Sequence, residues 1–448
     1  MGSCAFKKPD KTKSLTPVIQ LQYSRQALIK IRTKNQSTTN SDFSEVAFHL
    51  SEPQKIYSDS VSLSNKTVHL SYSIIPGLDP RHDLEKNCQD NCFVINSDDC
   101  IFLGLYDGHG VNGHKVSSLC ADLGQSLFSE LKNFPDPIDF LHYVTQKCDS
   151  ELSKNDFDTN LSGCTQVLLL YANNKVYCAT LGDSRAILAT SNPPKMTPMT
   201  YNGPFHINPA LVEVKQRRNS VLNKYITSVQ LTFDQKPDLP EEHARITQCG
   251  GRVDQIKNSH GHGIGPFRVW ESNSNQPGLS VSRALGDFSC RKLGVISEPV
   301  CSTHSIIEQD YFIVIASDGI WDVMDNDDAV NFVESYRKLC KRKTRKSVQG
   351  HLANPSNSCI AQMLCEEARV RWFSIVKEED VNIDDISCVV LELRESSVDL
   401  LLKTRKDTVR KVSVKGDDLE SSNIEGKFNK DPRRGSLLIP ATSSPIII

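Results

Sequence analysis

Between Ile101 and Tyr106 the chain is almost uninterruptedly apolar, and it then breaks to Asp107-Gly108-His109-Gly110. A short continuous apolar run of this kind predicts a buried strand, here delivering a carboxylate and an imidazole to its C-terminal end. The run Tyr311–Ala316 has the same form and ends at Asp318-Gly319. A third, Ser387–Leu393, follows directly on Asp384-Asp385. Helical periodicity appears in 113–131, where Val116, Leu119, Cys120, Leu123, Leu127, Phe128 and Leu131 share one face. It recurs in 138–152 through Phe140, Leu141, Val144, Cys148 and Leu152, and the short proline-containing link predicts that these two helices run antiparallel. Further helices are predicted at about 240–248, 327–339 and 358–375.

The strands Cys92–Ile95, Val167–Tyr171, Val176–Thr180, Arg185–Ala189 and Ser228–Thr232 follow one another through turns with few intervening helices. That order predicts antiparallel sheets, not a doubly wound parallel sheet. Compact patterning begins near Val68. Residues 1–65 are read as a polar extension, 190–228 as an inserted surface loop and 255–277 as a mobile flap. The basic run 341–346 is read as a loop that could meet anionic lipid or simply face water, and 397–448 as a disordered charged tail.

Composition narrows the classes. The 448 residues carry a formal net charge of −2, which gives no global signal for nucleic acid. No apolar run reaches the ~18 residues of a membrane span, and no apolar stretch near the start suggests secretion. The 15 cysteines form no CxxC pair, which predicts buried thiols in a cytoplasmic protein and no structural zinc. Met1-Gly2-Ser3-Cys4 with following lysines predicts myristate on Gly2 and palmitate on Cys4, the two signals that peripheral membrane residence requires. Ser220, Ser413 and Ser436 each follow basic residues and are candidate sites for a basic-directed kinase.

Asp107, Asp318 and Asp384 therefore share one context at strand ends. Oxygen-only ligands suit Mg²⁺ or Mn²⁺ better than zinc. Two such ions holding a water would supply a nucleophile for in-line attack on phosphorus, with His109 placed as general acid. Taken singly, an Asp after a strand is usually a turn former or helix cap, and a lone His109 is more often a structural histidine.

Ordered motifs complete the picture: Tyr106-Asp107-Gly108-His109-Gly110, Ser162-Gly163-Cys164-Thr165, Leu181-Gly182-Asp183-Ser184-Arg185-Ala186 and Leu231-Thr232-Phe233-Asp234-Gln235-Lys236-Pro237. Arg245-Ile246 with Gly250-Gly251-Arg252-Val253, Ser282-Arg283-Ala284-Leu285-Gly286-Asp287, Ala316-Ser317-Asp318-Gly319-Ile320-Trp321-Asp322 and Asp384-Asp385-Ile386-Ser387 follow. In these stretches, spanning about 68–394, the chain resembles the metal-dependent protein serine/threonine phosphatases of type 2C, in the style of plant and protist members. The resemblance implies an α+β fold, a four-layer αββα sandwich of two antiparallel sheets flanked by helix pairs, over 66–396. It implies phosphoprotein substrates, a monomer, and two Mn²⁺ or Mg²⁺ ions held by Asp107, the Gly108 carbonyl, Asp318 and Asp384. Asp90 would hold a water, Asp183 and Asp322 with Asp318 would form a weaker third site, and His109 would be the acid. The phosphate-binding arginine of animal members is replaced by Glu85, so Lys86 or Arg81 is the expected substitute. The alternative is a pseudophosphatase acting as a binding module; such proteins lose metal aspartates, and all three are present here.

Overall fold

The computed structural model describes residues 55–63, 66–79, 84–85, 87–191, 226–347, 359–375 and 382–394. In chain order these form β1 (Lys55–Leu63), β2 (Lys66–Ile75), β3 (Leu78–Asp79), β4 (Leu84–Glu85), β5 (Asp90–Asn96), β6 (Cys100–His109), α1 (Gly113–Leu127) and α2 (Pro137–Leu152). Then come β7 (Gly163–Cys164), β8 (Gln166–Ala172), β9 (Lys175–Leu181), β10 (Arg185–Thr190), β11 (Thr227–Gln230) and α3 (Pro240–Gln248). They are followed by β12 (Gly251–Lys257), β13 (Gly263–Glu271), β14 (Pro277–Leu279), β15 (Leu285–Gly286), β16 (Val300–Ser305) and β17 (Asp310–Ala316). The last are the one-turn α4 (Asp318–Trp321), α5 (Asn326–Ser347), α6 (Ile360–Ile375) and β18 (Ile386–Glu392).

Two antiparallel sheets face each other. One has the order β1-β2-β18-β17-β10-β11, and the other β15-β7-β6-β8-β9-β16 with β5 also paired to β6. Side chains alternate across each strand. Ile101, Leu103 and Leu105 of β6 therefore meet Ile313 and Ile315 of β17 and Val389 and Leu391 of β18 between the sheets. Phe102 and Tyr106 point the other way, onto Val116 and Cys120 of α1 and Phe140, Val144 and Cys148 of α2. On the far side Phe312, Val314 and Val390 pack under Ala329 and Val333 of α5 and Leu364 and Ala368 of α6. The result is the expected four-layer αββα sandwich. Both faces of the central strands are covered, which is why their sequences read as unbroken apolar runs.

Helix ends follow local chemistry. Asp136 caps α2 by accepting the Ile138 amide at 2.9 Å, with Pro137 in the first turn. The predicted 113–131 helix is α1 as far as Leu127 and then tightens to a 3₁₀ segment, Phe128–Asn133.

Three expectations are corrected. Residues 55–63, assigned to the polar extension, form β1 and pair with β2 along their whole length. Only Val61 and Leu63 of this edge strand are buried, so its apolar signal is weak. The stretch 255–277, read as a flap, belongs to a three-stranded antiparallel sheet, β12-β13-β14. Val253, Val269 and Leu279 pack there on Ile246, Leu293 and Val295, while Ile256, Ile264 and Phe267 are exposed, which blurs the alternation. The basic run 341–346, read as a loop, is the C-terminal part of α5. Lys and Arg are good helix formers, and no Gly or Pro interrupts them before Gly350.

Gly2, Cys4, Arg81, Lys86, Ser220, Ser413 and Ser436 lie outside the described residues, as do most of the 190–228 insertion and the tail beyond residue 394. Among the described residues no helix is long and apolar enough to cross a membrane.

Candidate metal centre

The centre forms where β6, β5, the β9–β10 turn, the β17–α4 junction and the entry to β18 meet. Asp107 pairs directly across the ladder with Asp90 of β5. Like charges in that register destabilise a sheet unless something neutralises them. Thr165, the last residue of the Ser-Gly-Cys-Thr motif, fixes the Asp107 backbone. Its N–H donates to the Asp107 carbonyl at 2.9 Å, and its hydroxyl accepts the Asp107 N–H at 3.2 Å. The same hydroxyl lies 2.6 Å from the Ser184 hydroxyl, beside Asp183.

The Gly182-Asp183 turn is held by the Asp234-Gln235-Lys236 segment. Gln235 accepts the Gly182 N–H through its side chain at 2.7 Å and donates its own N–H to the Gly182 carbonyl at 2.8 Å. Arg185 makes two hydrogen bonds to Asp234, at 2.8 and 2.5 Å. Lys236 pairs with Asp183. Burial opposes its charge, but Asp183, Asp318 and Asp322 together push the Lys236 pKa up to about 12.

Asp318 opens α4 immediately after β17. Ser317, just before it, donates its N–H to the Ser387 carbonyl at 3.1 Å and accepts the Ser387 N–H through its hydroxyl at 3.1 Å, which ties this corner to the strand after Asp384. Asp385 ties in the connections beside two further strands, Gly77 between β2 and β3 and Gln89 just before β5. Its carboxylate accepts the Gly77 N–H at 2.5 Å and the Gln89 N–H at 2.8 Å. The Gln89 side-chain amide in turn donates to the Gly110 carbonyl at 2.7 Å.

Carboxylate oxygens of Asp107, Asp183 and Asp318 all lie within 4.8 Å of one another. Asp384 is outside that tight trio, and its charge still acts on Asp90, Asp107, Asp318 and Asp322. Burial first, then Asp90, Asp318, Asp384 and Asp183, hold the Asp107 carboxyl well above the usual carboxylate range. Burial, then Asp183, Asp384 and Asp322, do the same to Asp318, with Lys236 opposing. Burial and Asp385 push Asp90 up to about 7, against the nearby hydroxyls of Ser387 and Ser317. Asp322 stands at the exposed rim, where partial loss of water around its carboxyl, with Asp183 and Asp384, raises its pKa against Lys236 and Arg185.

This is the signature of a site with more negative charge than Lys236 and Arg185 neutralise. Neither carboxyl oxygen of Asp90 has a protein partner in hydrogen-bond geometry, although both are buried. Orphaned acceptors beside converging carboxylates, with no His or Cys among them, fit hard divalent cations such as Mg²⁺ or Mn²⁺. Gly108 is buried between Asp107 and His109, where a Cβ would stand 2.5 Å from the Gly113 carbonyl oxygen.

His109 Nε2 lies 2.5 Å from a carboxylate oxygen of Asp287. Burial works against the charged ring, but the charge and hydrogen bond of Asp287, helped by Asp183, raise the His109 pKa above its usual value. The sequence placed Asp107, Asp318, Asp183, Asp90 and His109 in one region. It missed Asp287, Asp385 and Lys236 as partners, although all three stand inside quoted motifs.

The protein phosphatase 2C profile matches residues 78–204 and 216–371, with its gap inside the 190–228 insertion. Probable protein phosphatase 2C 72 of Arabidopsis thaliana is 31% identical over 310 residues, covering 65% of this chain and 77% of that protein. Probable protein phosphatase 2C 18 of the same plant is 32% identical over 302 residues, covering 67% of this chain and 48% of that one. Among solved structures, a C. elegans sex-determining protein superposes with a TM-score of 0.50 at 20% identity, covering 73% of this chain and 65% of that one, which speaks to the fold alone. With the profile spanning more than half of its length, the chain belongs to the protein phosphatase 2C family of metal-dependent serine/threonine protein phosphatases.

Proposed function

We propose that this centre hydrolyses phosphoserine and phosphothreonine in proteins with two divalent cations and His109 as the leaving-group acid. Asp107, the Gly108 carbonyl, Asp318 and Asp384 would hold the two ions, and Asp183 and Asp322 with Asp318 a weaker third. When bound, Mn²⁺ or Mg²⁺ supplies the charge that neutralises the phosphoryl oxygens and makes a water nucleophilic near neutral pH. Asp90, with its unpartnered buried oxygens, would accept hydrogen bonds from water at the centre. His109 would donate a proton to the departing Ser or Thr oxygen as the P–O bond breaks, so that an alcohol leaves and not an alkoxide. The cation that steadies the substrate phosphate is assigned to Lys86 or Arg81.

The observation that carries this reading is the convergence of Asp107, Asp183 and Asp318 within 4.8 Å, beside an orphaned Asp90. Phosphate release from a phosphothreonine peptide tests it. Turnover should require Mn²⁺ or Mg²⁺, stop with chelator, and fall by at least ~100-fold in Asp318→Asn. Metal-independent turnover would refute it. No release with metal bound would favour the binding-module alternative. Membrane attachment through Gly2 and Cys4 remains a separate proposal, tested by the mass of the native N-terminal peptide. The kinase reading of Ser220, Ser413 and Ser436 is tested by phosphopeptide mapping.

A further inference from the structure

Three separate motifs meet at one imidazole. In the ladder β15-β7-β6, His109 stands opposite Gly163, and Gly163 opposite Gly286. Asp287 follows at once and turns back in the left-handed region, with φ of 49°, its N–H donating to the Ser162 carbonyl at 3.1 Å. That turn aims its carboxylate over Gly163 at His109, where Oδ2 and Nε2 are 2.5 Å apart. A Cβ on Gly163 would collide with this same Oδ2, so the glycine keeps the path between the two side chains open. The Asp287 side chain is 3% exposed and that of His109 is 28% exposed, so one end of the pair is buried and the other opens outward.

A left-handed backbone at a residue other than Gly is uncommon, although Asp and Asn tolerate it better than most. Strain of this kind persists where the surroundings demand it. Here it brings to the ring a carboxylate that a relaxed backbone would direct elsewhere. An imidazole whose Nε2–H is donated to a buried carboxylate is fixed in plane and in tautomer. Its other nitrogen, Nδ1, is the one left for chemistry.

We propose that Asp287 is the positioning residue of the leaving-group acid. Its carboxylate accepts the Nε2 proton of His109, and Nδ1 is therefore the nitrogen that serves the departing oxygen. This rests on His109 being the acid. In the step, the P–O bond breaks and its electron pair stays on the Ser or Thr oxygen. The Nδ1–H bond breaks, the oxygen takes that proton, and the ring is left neutral with Nε2–H still on Asp287. Asp287 itself gains no proton, the same division of labour as in a Ser-His-Asp triad.

The test compares two substrates in the Mn²⁺-loaded 448-residue chain: a phosphoserine peptide, whose alkoxide needs a proton, and p-nitrophenyl phosphate, whose aryl oxide leaves without one. His109→Gln and Asp287→Ala should each lower kcat on the peptide by about a hundredfold and lower kcat on the aryl ester at least about tenfold less. The double variant should be no slower on the peptide than either single variant. Asp287→Asn suits the left-handed backbone and retains an acceptor oxygen, so it should fall between wild type and Asp287→Ala, and its melting curve controls for folding. If His109→Gln slows both substrates equally, the acid reading itself fails. If His109→Gln discriminates but neither Asp287 variant does, or if Asp287→Asn melts normally and slows both substrates alike, the positioning role is overturned.

Discussion

Glu242 on α3 is 4% exposed, and its carboxylate gathers partners from three directions. Arg245 reaches it at 3.0 and 2.6 Å, Arg283 at 2.6 Å and the Ser282 hydroxyl at 2.5 Å. Burial alone would raise the Glu242 pKa, but hydrogen bonds and charge from Arg245 and Arg283 lower it from 4.5 to about 2. At ~1.4 kcal/mol per unit, that difference corresponds to about 3 kcal/mol of folding stability. Folding favours the charged form, so this contribution is complete above about pH 4.5 and is lost as the pH falls towards about 2. Glu242→Gln keeps the shape and removes the negative charge that Arg245 and the 5% exposed Arg283 both face. The expected loss is about 3 kcal/mol, in keeping with the roughly 3–5 kcal/mol for breaking one side of a buried pair. In a melt at pH 7 this is a drop of roughly 4–5 °C for a domain of about 330 residues. Denaturant titrations of both proteins from pH 7 down to pH 3 should show the gap closing below about pH 4.5. A gap that is absent, or that stays constant across that range, refutes the reasoning. Arg283 precedes Asp287 in the same run, so the variant should also lose turnover on phosphopeptide.

The remaining expectations concern the centre itself. Lys236→Met removes the ammonium paired with Asp183; the metal-free protein should melt lower, and Mn²⁺ should bind roughly fivefold tighter, about 1 kcal/mol, by calorimetry. Gly108→Ala places a Cβ 2.5 Å from the Gly113 carbonyl oxygen and 2.7 Å from that of Gln89. It should cost about 1–3 kcal/mol in denaturant stability and, if Asp107 and His109 move by ~1 Å, about a hundredfold in kcat. Asp90 has a pKa raised from 3.8 to about 7. Folding there favours the protonated form, so metal-free stability should decline as the pH rises through that window. Added Mn²⁺ should raise the melting temperature most at pH 7 and above, and a rise independent of pH would contradict this account.

The layers of the fold were legible because both faces of β6, β17 and β18 are covered, which leaves a simple apolar signature. β1 escaped because an edge strand needs only two buried residues, and the end of α5 because a basic helix shows no apolar face. At the centre, Asp107 and Asp318 could be read from their places at the ends of apolar runs. Their supports could not, since these are contacts between distant parts of the chain. Asp287 meets His109 across 178 residues, and Asp385 meets Gly77 across 308. The one available signal was that both aspartates stand inside the quoted motifs. Asp183 in the tightest trio, with Asp384 outside it, is likewise set by how the Asp234–Lys236 segment docks on the β9–β10 turn, which no local pattern encodes.

The central claim is that Asp107 and its neighbours bind the divalent cations on which hydrolysis depends. Calorimetric titration of Mn²⁺ into metal-free wild type and Asp107→Asn tests it most directly. Wild type should bind at least two ions. The variant should lose more than the roughly 10–100-fold in affinity that follows removal of an outer-shell partner. An unchanged isotherm in Asp107→Asn, or no Mn²⁺ binding by the wild type, would contradict it.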